Sequence, residues 1–233
     1  MRLGAHAEAL KSKIDSPKEM ISLKFVPEIV NPGKTALIVV DVQNDFCHPE
    51  GACAKRGNDV SAVGGMVAQL RRLIQGARDH QVPIIFIQTF HEKATDSAAW
   101  AARSGGTSGN VCRVGTWGAE FFEVQPQPGD IIVNKHRYSA FVNTRLDSVL
   151  RTLKVENLIM TGISTNVCVE STARHGYMLD YNIVLVDDAC AAFSRKAHEM
   201  TLENIAAFFG SVAQADEILN AWSQYAVPAA AGK

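Results

Sequence analysis

The sequence lacks the features that mark membrane, secreted and nucleic-acid-binding chains. No apolar run reaches the roughly 18 uninterrupted residues that a transmembrane helix needs. The 23 Lys and Arg residues nearly balance the 24 Asp and Glu residues, so no broad basic field attracts phosphate backbones or anionic lipids. The first residues carry charges throughout and lack the apolar segment of a secretory signal. We therefore expect a cytoplasmic protein that binds neither nucleic acid nor membrane.

Disulfide and metal-binding patterns are missing as well. The five cysteines are widely scattered, at positions 47, 53, 112, 168 and 190, unlike the dense framework of a small secreted protein. No Cys-x-x-Cys pair and no His-Glu-x-x-His segment occurs, and the seven histidines are isolated from one another. The sequence therefore predicts reduced thiols, with neither a metal nor another cofactor.

What the sequence does contain is a series of buried-strand patterns. Hydrophobic residues make up 47% of the chain and form continuous runs, as parallel strands covered on both faces do. The runs extend from Ala36 to Val40, Pro83 to Gln88, Asp130 to Val133, Leu158 to Thr161 and Ile183 to Val186. Between them, apolar residues recur at helical spacing, at Val63, Val67, Leu70, Ile74 and Ala77 and at Leu146, Val149, Leu150 and Leu153.

This alternation predicts the α/β class, as a single doubly wound domain with a mainly parallel central sheet and helices on both faces. We assign 35–215 to this domain, 1–34 to an amino-terminal extension with a short helix from Ala5 to Ile14, and 216–233 to a carboxyl-terminal helix and tail. The stretch from His91 to Gly118 shows no sustained period, and we expect it to act as a lid or an oligomer contact.

Polar residues that follow the apolar runs are the candidates for chemistry, because ligands bind beyond the carboxyl ends of strands in such sheets. Asp41 ends the run ALIVVD, Lys135 follows IIVN, and Cys168 lies at a predicted helix start after Gly162. The unpaired N–H groups and the positive end of the dipole at a helix start stabilise an anion, so they favour a thiolate and can hold an oxyanion. Each residue also has a structural alternative: Cys168 as a buried cysteine of the core, Asp41 as a helix cap and Lys135 as a solvated surface amine. Together, the three residues form a nucleophile, a proton acceptor and a stabilising cation.

Three segments carry a family resemblance. The strings ALIVVDVQNDF, NKHRYSAF and TGISTNVCVESTARHGY resemble, in order and spacing, the signature segments of the isochorismatase-like cysteine hydrolase family. The resemblance spans roughly 35–212 and implies a catalytic triad of Asp41, Lys135 and Cys168. It also implies a cis peptide bond between Ile163 and Ser164, with the N–H groups of Ser164 and Cys168 as the oxyanion hole.

Substrate binding is assigned partly from residue chemistry and partly from the resemblance. Phe46 is expected to stack on a flat ureido group, and Gln43 and Asn166 to hydrogen-bond to substrate or to fix the loops. Placement in the family adds Tyr138 and two further aromatic residues, Trp117 and Phe141. Core packing is the competing interpretation for Phe141. Whether Arg137 or His175 contacts substrate is left open.

The resemblance also implies the reaction. Isochorismatases that cleave a vinyl ether lack a cysteine at this position, so Cys168 favours amide hydrolysis. The segments PQPGDI, RYSAF, NTRLDSVLR, TNVCVEST and FFG resemble the ureidoacrylate amidohydrolase branch, with biuret and triuret hydrolases as close alternatives. We therefore predict a cysteine-dependent amidohydrolase that cleaves a C–N bond in a small ureido or carbamoyl compound through a thioester-type intermediate. The resemblance further implies a homodimer or homotetramer.

Other functions stay open at this point. N-carbamoyl amino acid amidases and nicotinamidase-like enzymes share the family, although no Asp-x-His segment of the nicotinamidase metal site lies between Asp41 and Lys135. A hydrolase that pairs Cys168 with His136 or His175 is a second possibility. A non-catalytic scaffold of the same fold is a third, because fold alone does not determine function.

Overall fold

A six-stranded parallel sheet forms the centre of the computed structural model, which describes residues 24–103 and 107–226. The spatial order of the strands is β3-β2-β1-β4-β5-β6, and every neighbouring pair is parallel. The strands are β1 (Thr35–Val40), β2 (Ile84–Thr89), β3 (Ile131–Lys135), β4 (Asn157–Ile163), β5 (Asn182–Ala191) and β6 (Ser211–Ala213). The predicted α/β class with a parallel central sheet is thereby confirmed.

Helices connect the strands and cover the sheet. They are α1 (Asn44–Cys47), α2 (Ala52–Lys55), α3 (Val63–Asp79), α4 (Ala98–Arg103), α5 (Leu146–Thr152), α6 (Glu170–Met178), α7 (Arg195–Phe208) and α8 (Ala215–Trp222). Single turns of 3₁₀-helix occur at Pro27–Val30, Pro32–Lys34, Thr107–Asn110 and Trp117–Ala119, and a π-helical turn at Thr165–Val169 leads into α6. None of the described helices is both long and apolar enough to cross a membrane.

Alternate residues of the central strands feed two hydrophobic cores, one on each face of the sheet. In β1, Leu37 and Val39 pack into the core beneath α3 and α8, while Ile38 and Val40 pack into the core beneath α5, α6 and α7. All six residues of β1 are buried, which explains why its sequence is a continuous apolar run. The two-sided cover makes the strand ends the accessible places for a polar site.

The edge strands depart from the sequence prediction. In β3 buried and more exposed residues alternate, because this strand lies at the edge of the sheet. The strand extends to Lys135, so this lysine ends the strand instead of following it. The sequence analysis missed β6, the other edge strand, because three residues are too short to produce a period.

Residues on both flanks of the predicted domain contribute to the same core. Trp222 is fully buried, and its indole Nε1 donates a hydrogen bond of 2.9 Å to the carbonyl oxygen of Val30, which is also fully buried. The division of the chain at residues 34 and 215 stays a prediction. The predicted helix from Ala5 to Ile14 and the end of the tail lie outside the described residues.

Candidate active site

The candidate site lies where the direction of strand order reverses. The first strand, β1, is central, with β2 and β3 on one side and β4, β5 and β6 on the other. Connections on the two sides diverge at such a switch point and leave a crevice beyond the carboxyl ends of the strands. Asp41 directly follows β1, Ser164 directly follows β4, and Lys135 ends β3. The topology therefore brings together residues that are far apart in the sequence.

Asp41, Lys135 and Cys168 form a continuous buried chain. The ammonium Nζ of Lys135 lies 2.8 Å from Asp41 Oδ2, and the two side chains are 1% and 0% exposed. The same Nζ lies 3.5 Å from the sulfur of Cys168. One ammonium group therefore contacts both the carboxylate and the thiol. These are the three residue types that the sequence predicted would act together.

Thr89 completes the polar surroundings of this chain. Its hydroxyl donates to Asp41 Oδ1 at 2.9 Å and accepts from Lys135 Nζ at 2.8 Å. Lys135 also donates to the carbonyl oxygen of Arg137 at 3.0 Å. A buried ammonium has three protons to place, and its three hydrogen bonds use them on a hydroxyl, a carbonyl and a thiol, while Asp41 adds an ion pair. The lysine side chain is therefore held in one position between the other two.

The backbone around the site uses conformations that few residues tolerate. Asp41 has a φ of 55°, a left-handed conformation that Asp adopts more readily than most residues. Gly162 has a φ of 109°, and a Cβ atom at this position would collide with the backbone of Val40 on the adjacent strand. The peptide bond between Ile163 and Ser164 is cis, as the resemblance implies.

Burial dominates the electrostatics of the thiol. Burial raises the pKa of Cys168, Asp41 raises it further, and the opposing effect of Lys135 is too small to reverse the shift. For Lys135, burial alone would lower the pKa, but Asp41 and Cys168 raise it above its ordinary value. The resting site therefore contains a protonated thiol beside an ion pair. The expectation that the helix start favours a thiolate is wrong, because desolvation outweighs it.

A cavity of about 240 Å³ opens beside this chain. Cys168, Lys135, Thr89 and Ser164 line it, so the thiol and the ammonium both face the space where a small molecule can bind. The remaining lining residues are Phe46, Cys53, Arg56, His91, Trp100, Val111, Arg137, Tyr138, Val167 and Phe193. None of the described residues that line it is an Asp or a Glu.

The isochorismatase domain model matches residues 35–217. The chain belongs to the isochorismatase family. Ureidoacrylate amidohydrolase RutB of Pseudomonas syringae pv. syringae is 36% identical over 228 residues, covering 91% of this chain and 93% of the relative. RutB of Pantoea ananatis is 37% identical over 227 residues, covering 89% of this chain and 90% of the relative.

Solved structures of hydrolases are also similar to this chain. A cysteine hydrolase from Pseudomonas syringae pv. phaseolicola 1448A has a TM-score of 0.78 and 30% identity, covering 90% of this chain and 99% of that one. N-carbamoylsarcosine amidase from Thermoplasma acidophilum has a TM-score of 0.64 and 25% identity, covering 78% and 97%. The family prediction is confirmed, and the similarities support an amidohydrolase of the isochorismatase family.

Of the six residues assigned to substrate binding, Phe46 and Tyr138 line the cavity of this isochorismatase-family chain. Gln43 does not, because it is fully buried and its amide is already engaged. Its nitrogen donates to the carbonyl oxygens of Thr89 and Ala119 at 2.9 and 2.8 Å, and its oxygen accepts from the N–H of Thr89 at 2.8 Å. Gln43 therefore fixes the ends of β1 and β2 relative to each other.

The other three assigned residues also lie away from the cavity lining. Trp117 is 46% exposed and packs edge-on against His48. Phe141 belongs to the core beneath α6, which was the competing interpretation. Asn166 is exposed, and its side-chain oxygen accepts a hydrogen bond of 2.9 Å from the hydroxyl of Ser164. The assignment of these three side chains to substrate binding is therefore not supported by the cavity lining and stays a prediction.

Sequence reasoning missed four lining residues that bear on chemistry: Thr89, His91, Trp100 and Arg56. Thr89 is the last residue of β2, so the rule that found Asp41 would have found it too. His91 and Trp100 come from the stretch predicted to be a lid or an oligomer contact, where no period exists to guide an assignment. Part of that stretch lines the cavity, and its role as a lid or an oligomer contact stays a prediction.

This wall of the cavity is a packed aromatic surface joined to a cation. The Trp100 ring lies 5.0 Å from that of His91 and 5.1 Å from that of Tyr138, between ring centroids. The Arg137 guanidinium lies 5.5 Å from the Trp100 ring centroid, and its Nη1 donates to the carbonyl oxygen of His136 at 2.7 Å. Arg137 lines the cavity, and whether it contacts substrate stays open.

The histidines of the rival cysteine–histidine mechanism lie elsewhere. Neither His136 nor His175 lines the cavity. The Nδ1 atom of His136 contacts the carbonyl oxygen of Phe90 at 2.8 Å, and that of His175 contacts the hydroxyl of Ser139 at 3.0 Å. Within the described part of the chain, no group of three or more His, Cys, Asp or Glu residues is arranged to hold a metal ion.

Proposed function

We propose that the protein uses Cys168 as a nucleophile to cleave a C–N bond in a small ureido compound that carries a carboxylate. The observation that carries the proposal is the buried chain from Cys168 through Lys135 to Asp41 beside the cavity. A thiol and a carboxylate that both contact one cation supply a nucleophile, a base and the charge that stabilises both. The names of the relatives supply the class of substrate.

In the first half of the reaction, Asp41 accepts the proton of the Cys168 thiol as the sulfur bonds to the ureido carbonyl carbon. The C–N bond to the leaving group breaks, and Asp41 returns the proton to the departing nitrogen. An amine leaves, and a carbamoyl group stays on sulfur. Because burial raises the pKa of the resting thiol, the proposed mechanism removes its proton as the sulfur attacks.

In the second half, water attacks the carbon of the carbamoyl thioester and gives a proton to Asp41. The C–S bond breaks, the sulfur recovers a proton, and carbamate is released. Asp41 serves as the base and then as the acid in each half. Lys135 stays charged throughout, because its raised pKa keeps the ammonium form in the folded protein. The N–H groups of Ser164 and Cys168 are our candidates for holding the carbonyl oxygen.

The charge of the cavity supports an acidic substrate. Two guanidinium groups, exposed Arg56 and partly buried Arg137, line it, and none of the described lining residues is an Asp or a Glu. Guanidinium groups bind carboxylates well because their N–H donors match the two oxygens. Ureidoacrylate and its relatives carry a carboxylate, whereas biuret and triuret are neutral. The N-carbamoyl amino acids are the second candidate, because they combine the same two groups.

Unpartnered polar atoms support the ureido part of the substrate. The indole Nε1 of Trp100 and the imidazole Nδ1 of His91 are buried without a hydrogen-bond partner in the structure. Burial is the largest cause that lowers the pKa of His91 to about 4, and Lys135 adds to it, so the ring is neutral near pH 7. A ureido group offers both N–H donors and a carbonyl acceptor, which would satisfy a neutral imidazole and an indole together.

The proposal is tested by ammonia release, from the decomposition of carbamate, with 3-ureidoacrylate, N-carbamoylglycine, N-carbamoylsarcosine, biuret and nicotinamide. We expect turnover of at least one acid and none of the neutral compounds. Cys168→Ala should abolish turnover, and mass spectrometry should find a carbamoyl group on Cys168 in the wild-type protein. Cys190→Ala is the matched control, because Cys190 is equally buried but does not line this cavity. Activity that survives in Cys168→Ala would refute the nucleophile assignment.

Recognition of the carboxylate is tested separately with Arg56→Gln. A charged hydrogen bond contributes about 1.5–3 kcal/mol, so the KM for the acid should rise about 10- to 150-fold. The methyl ester of the same compound should show little change, because it has no charge to lose. Equal effects on the acid and the ester would contradict a carboxylate contact.

A further inference from the structure

A second hydrogen-bonded chain of polar side chains reaches the turn that carries Cys168. The hydroxyl of Thr165 lies 2.9 Å from His198 Nδ1, and His198 Nε2 lies 2.8 Å from Asp187 Oδ1. The other carboxylate oxygen of Asp187 accepts a hydrogen bond of 2.7 Å from Gln214 Nε2. We call Thr165, His198, Asp187 and Gln214 the relay. It links the turn to α7, β5 and the start of α8.

The Thr165 end of the relay lies in the turn that carries Cys168. Thr165 is fully buried and is the first residue of the π-helical turn Thr165–Val169, three residues before the nucleophile. The residue before it, Ser164, follows the cis peptide bond and lines the cavity. A shift of the Thr165 side chain would therefore move both the thiol of Cys168 and the N–H group of Ser164.

The chemistry of the relay assigns its hydrogens. The hydrogen bond from His198 is the largest cause that lowers the pKa of Asp187, so Asp187 is a carboxylate and His198 Nε2 carries a proton toward it. In the neutral ring, Nδ1 is then an acceptor, and the Thr165 hydroxyl donates to it. A carboxylate that orients an imidazole fixes its ring plane, and the ring in turn fixes the hydroxyl.

We propose that His198 is a positioning residue, which holds the nucleophile turn in its reactive place through the hydroxyl of Thr165. This inference rests on the proposed role of Cys168. His198 does not line the cavity beside Cys168, so it acts through the turn and not on the substrate. A misplacement of about 1 Å costs an enzyme about 100-fold in rate, whereas the substrate pocket itself is left intact.

The first test is Thr165→Val, with Thr161→Val as the matched control. Both threonines are fully buried, and the Thr161 hydroxyl also makes one hydrogen bond, of 2.8 Å to the carbonyl oxygen of Ile38. We expect the two variants to lose similar stability. The single-turnover rate should fall about 10- to 100-fold in Thr165→Val alone, at unchanged KM, and Thr165→Ser should restore it. Equal rates for the two valine variants would overturn the proposal.

The second test is His198→Ala with added imidazole. His198 and Asp187 also line a separate cavity of about 670 Å³, through which imidazole can reach the vacated place. We expect a rate loss similar to that of Thr165→Val and a saturable recovery as imidazole is added. A purely structural role for the ring predicts a loss of stability without that recovery. A stable His198→Ala protein whose reduced rate does not recover with imidazole would contradict a positioning role.

Adding Cys168→Ala to the threonine test separates this inference from the proposed function. Cys168→Ala is assayed alongside, with the acid that the wild-type protein turns over most readily. If Cys168→Ala keeps its activity, the proposed nucleophile fails and the relay has nothing to position. If Cys168→Ala is inactive while Thr165→Val matches Thr161→Val, the nucleophile stands and the relay proposal alone fails.

Discussion

Replacing Lys135 or Lys34 by Met compares the loss of a buried ion pair with the loss of an exposed one of similar length. The Lys135–Asp41 pair measures 2.8 Å with side chains 1% and 0% exposed, and the Lys34–Glu156 pair measures 2.7 Å with side chains 55% and 56% exposed. Removing one partner of a buried pair leaves an uncompensated charge and costs about 3–5 kcal/mol. An exposed pair contributes about 1 kcal/mol or less. We therefore expect Lys135→Met to be several times more destabilising than Lys34→Met.

Urea unfolding at neutral pH measures the difference. Because the folded pKa of Lys135 is raised above its ordinary 10.5, the contribution of the pair is complete below about pH 10 and is lost as the pH rises through the folded value. The cost of Lys135→Met should therefore be constant from about pH 6 to 9. The double variant Lys135→Met with Asp41→Asn should recover much of the loss, because no unpaired charge is left. Both variants should be inactive.

The result that would refute this reasoning is a free energy of unfolding for Lys135→Met no lower than for Lys34→Met. That outcome would mean that the ammonium of Lys135 does not compensate a buried charge on Asp41. It would also remove the argument that a charged Lys135 holds the carboxylate beside the thiol.

Two further predictions concern His91 and Gly162. Burial, with a smaller effect of Lys135, lowers the pKa of His91 from 6.5 to about 4, so stability falls as the pH drops through this interval. His91→Phe should show a smaller drop in urea midpoint between about pH 7 and 4.5; an unchanged drop would exclude His91 as its source. Gly162→Ala should destabilise, because the added Cβ meets the backbone of Val40 at a φ of 109°. Gly65→Ala, in α3 with open space around it, should stabilise by about 0.5–1 kcal/mol, and stabilisation of both would contradict the clash.

The central strands and the candidate triad could be predicted because their signals are local. A strand buried on both faces must be apolar at every position, as β1 is, and the polar residue that ends such a run lies at the ligand edge of the sheet. Asp41 and Lys135 were found in this way, and the shared segments placed Cys168 with them. The protonation state of the thiol was predicted wrongly, because it depends on how deeply the folded chain buries the sulfur.

Assignments that depended on which side chain faces the cavity succeeded less well. Phe46 and Tyr138 line it, while Trp117 packs against His48 and Gln43 joins two strand ends. No periodic pattern distinguishes these cases, because the residues lie on loops and short turns. The contribution of Trp100 depends on the path of a long connection, which the local sequence does not determine.

By itself, the sequence determined the α/β class, the central strands, the family and the set of chemical groups at the strand ends, because each follows from a local pattern or a shared segment. Only the tertiary structure decided their distances and surroundings: the 2.8 Å ion pair, the buried thiol, the two arginines at the cavity and the relay behind the nucleophile turn. Those properties arise between residues tens of positions apart, which meet only when the strand order of the sheet is set.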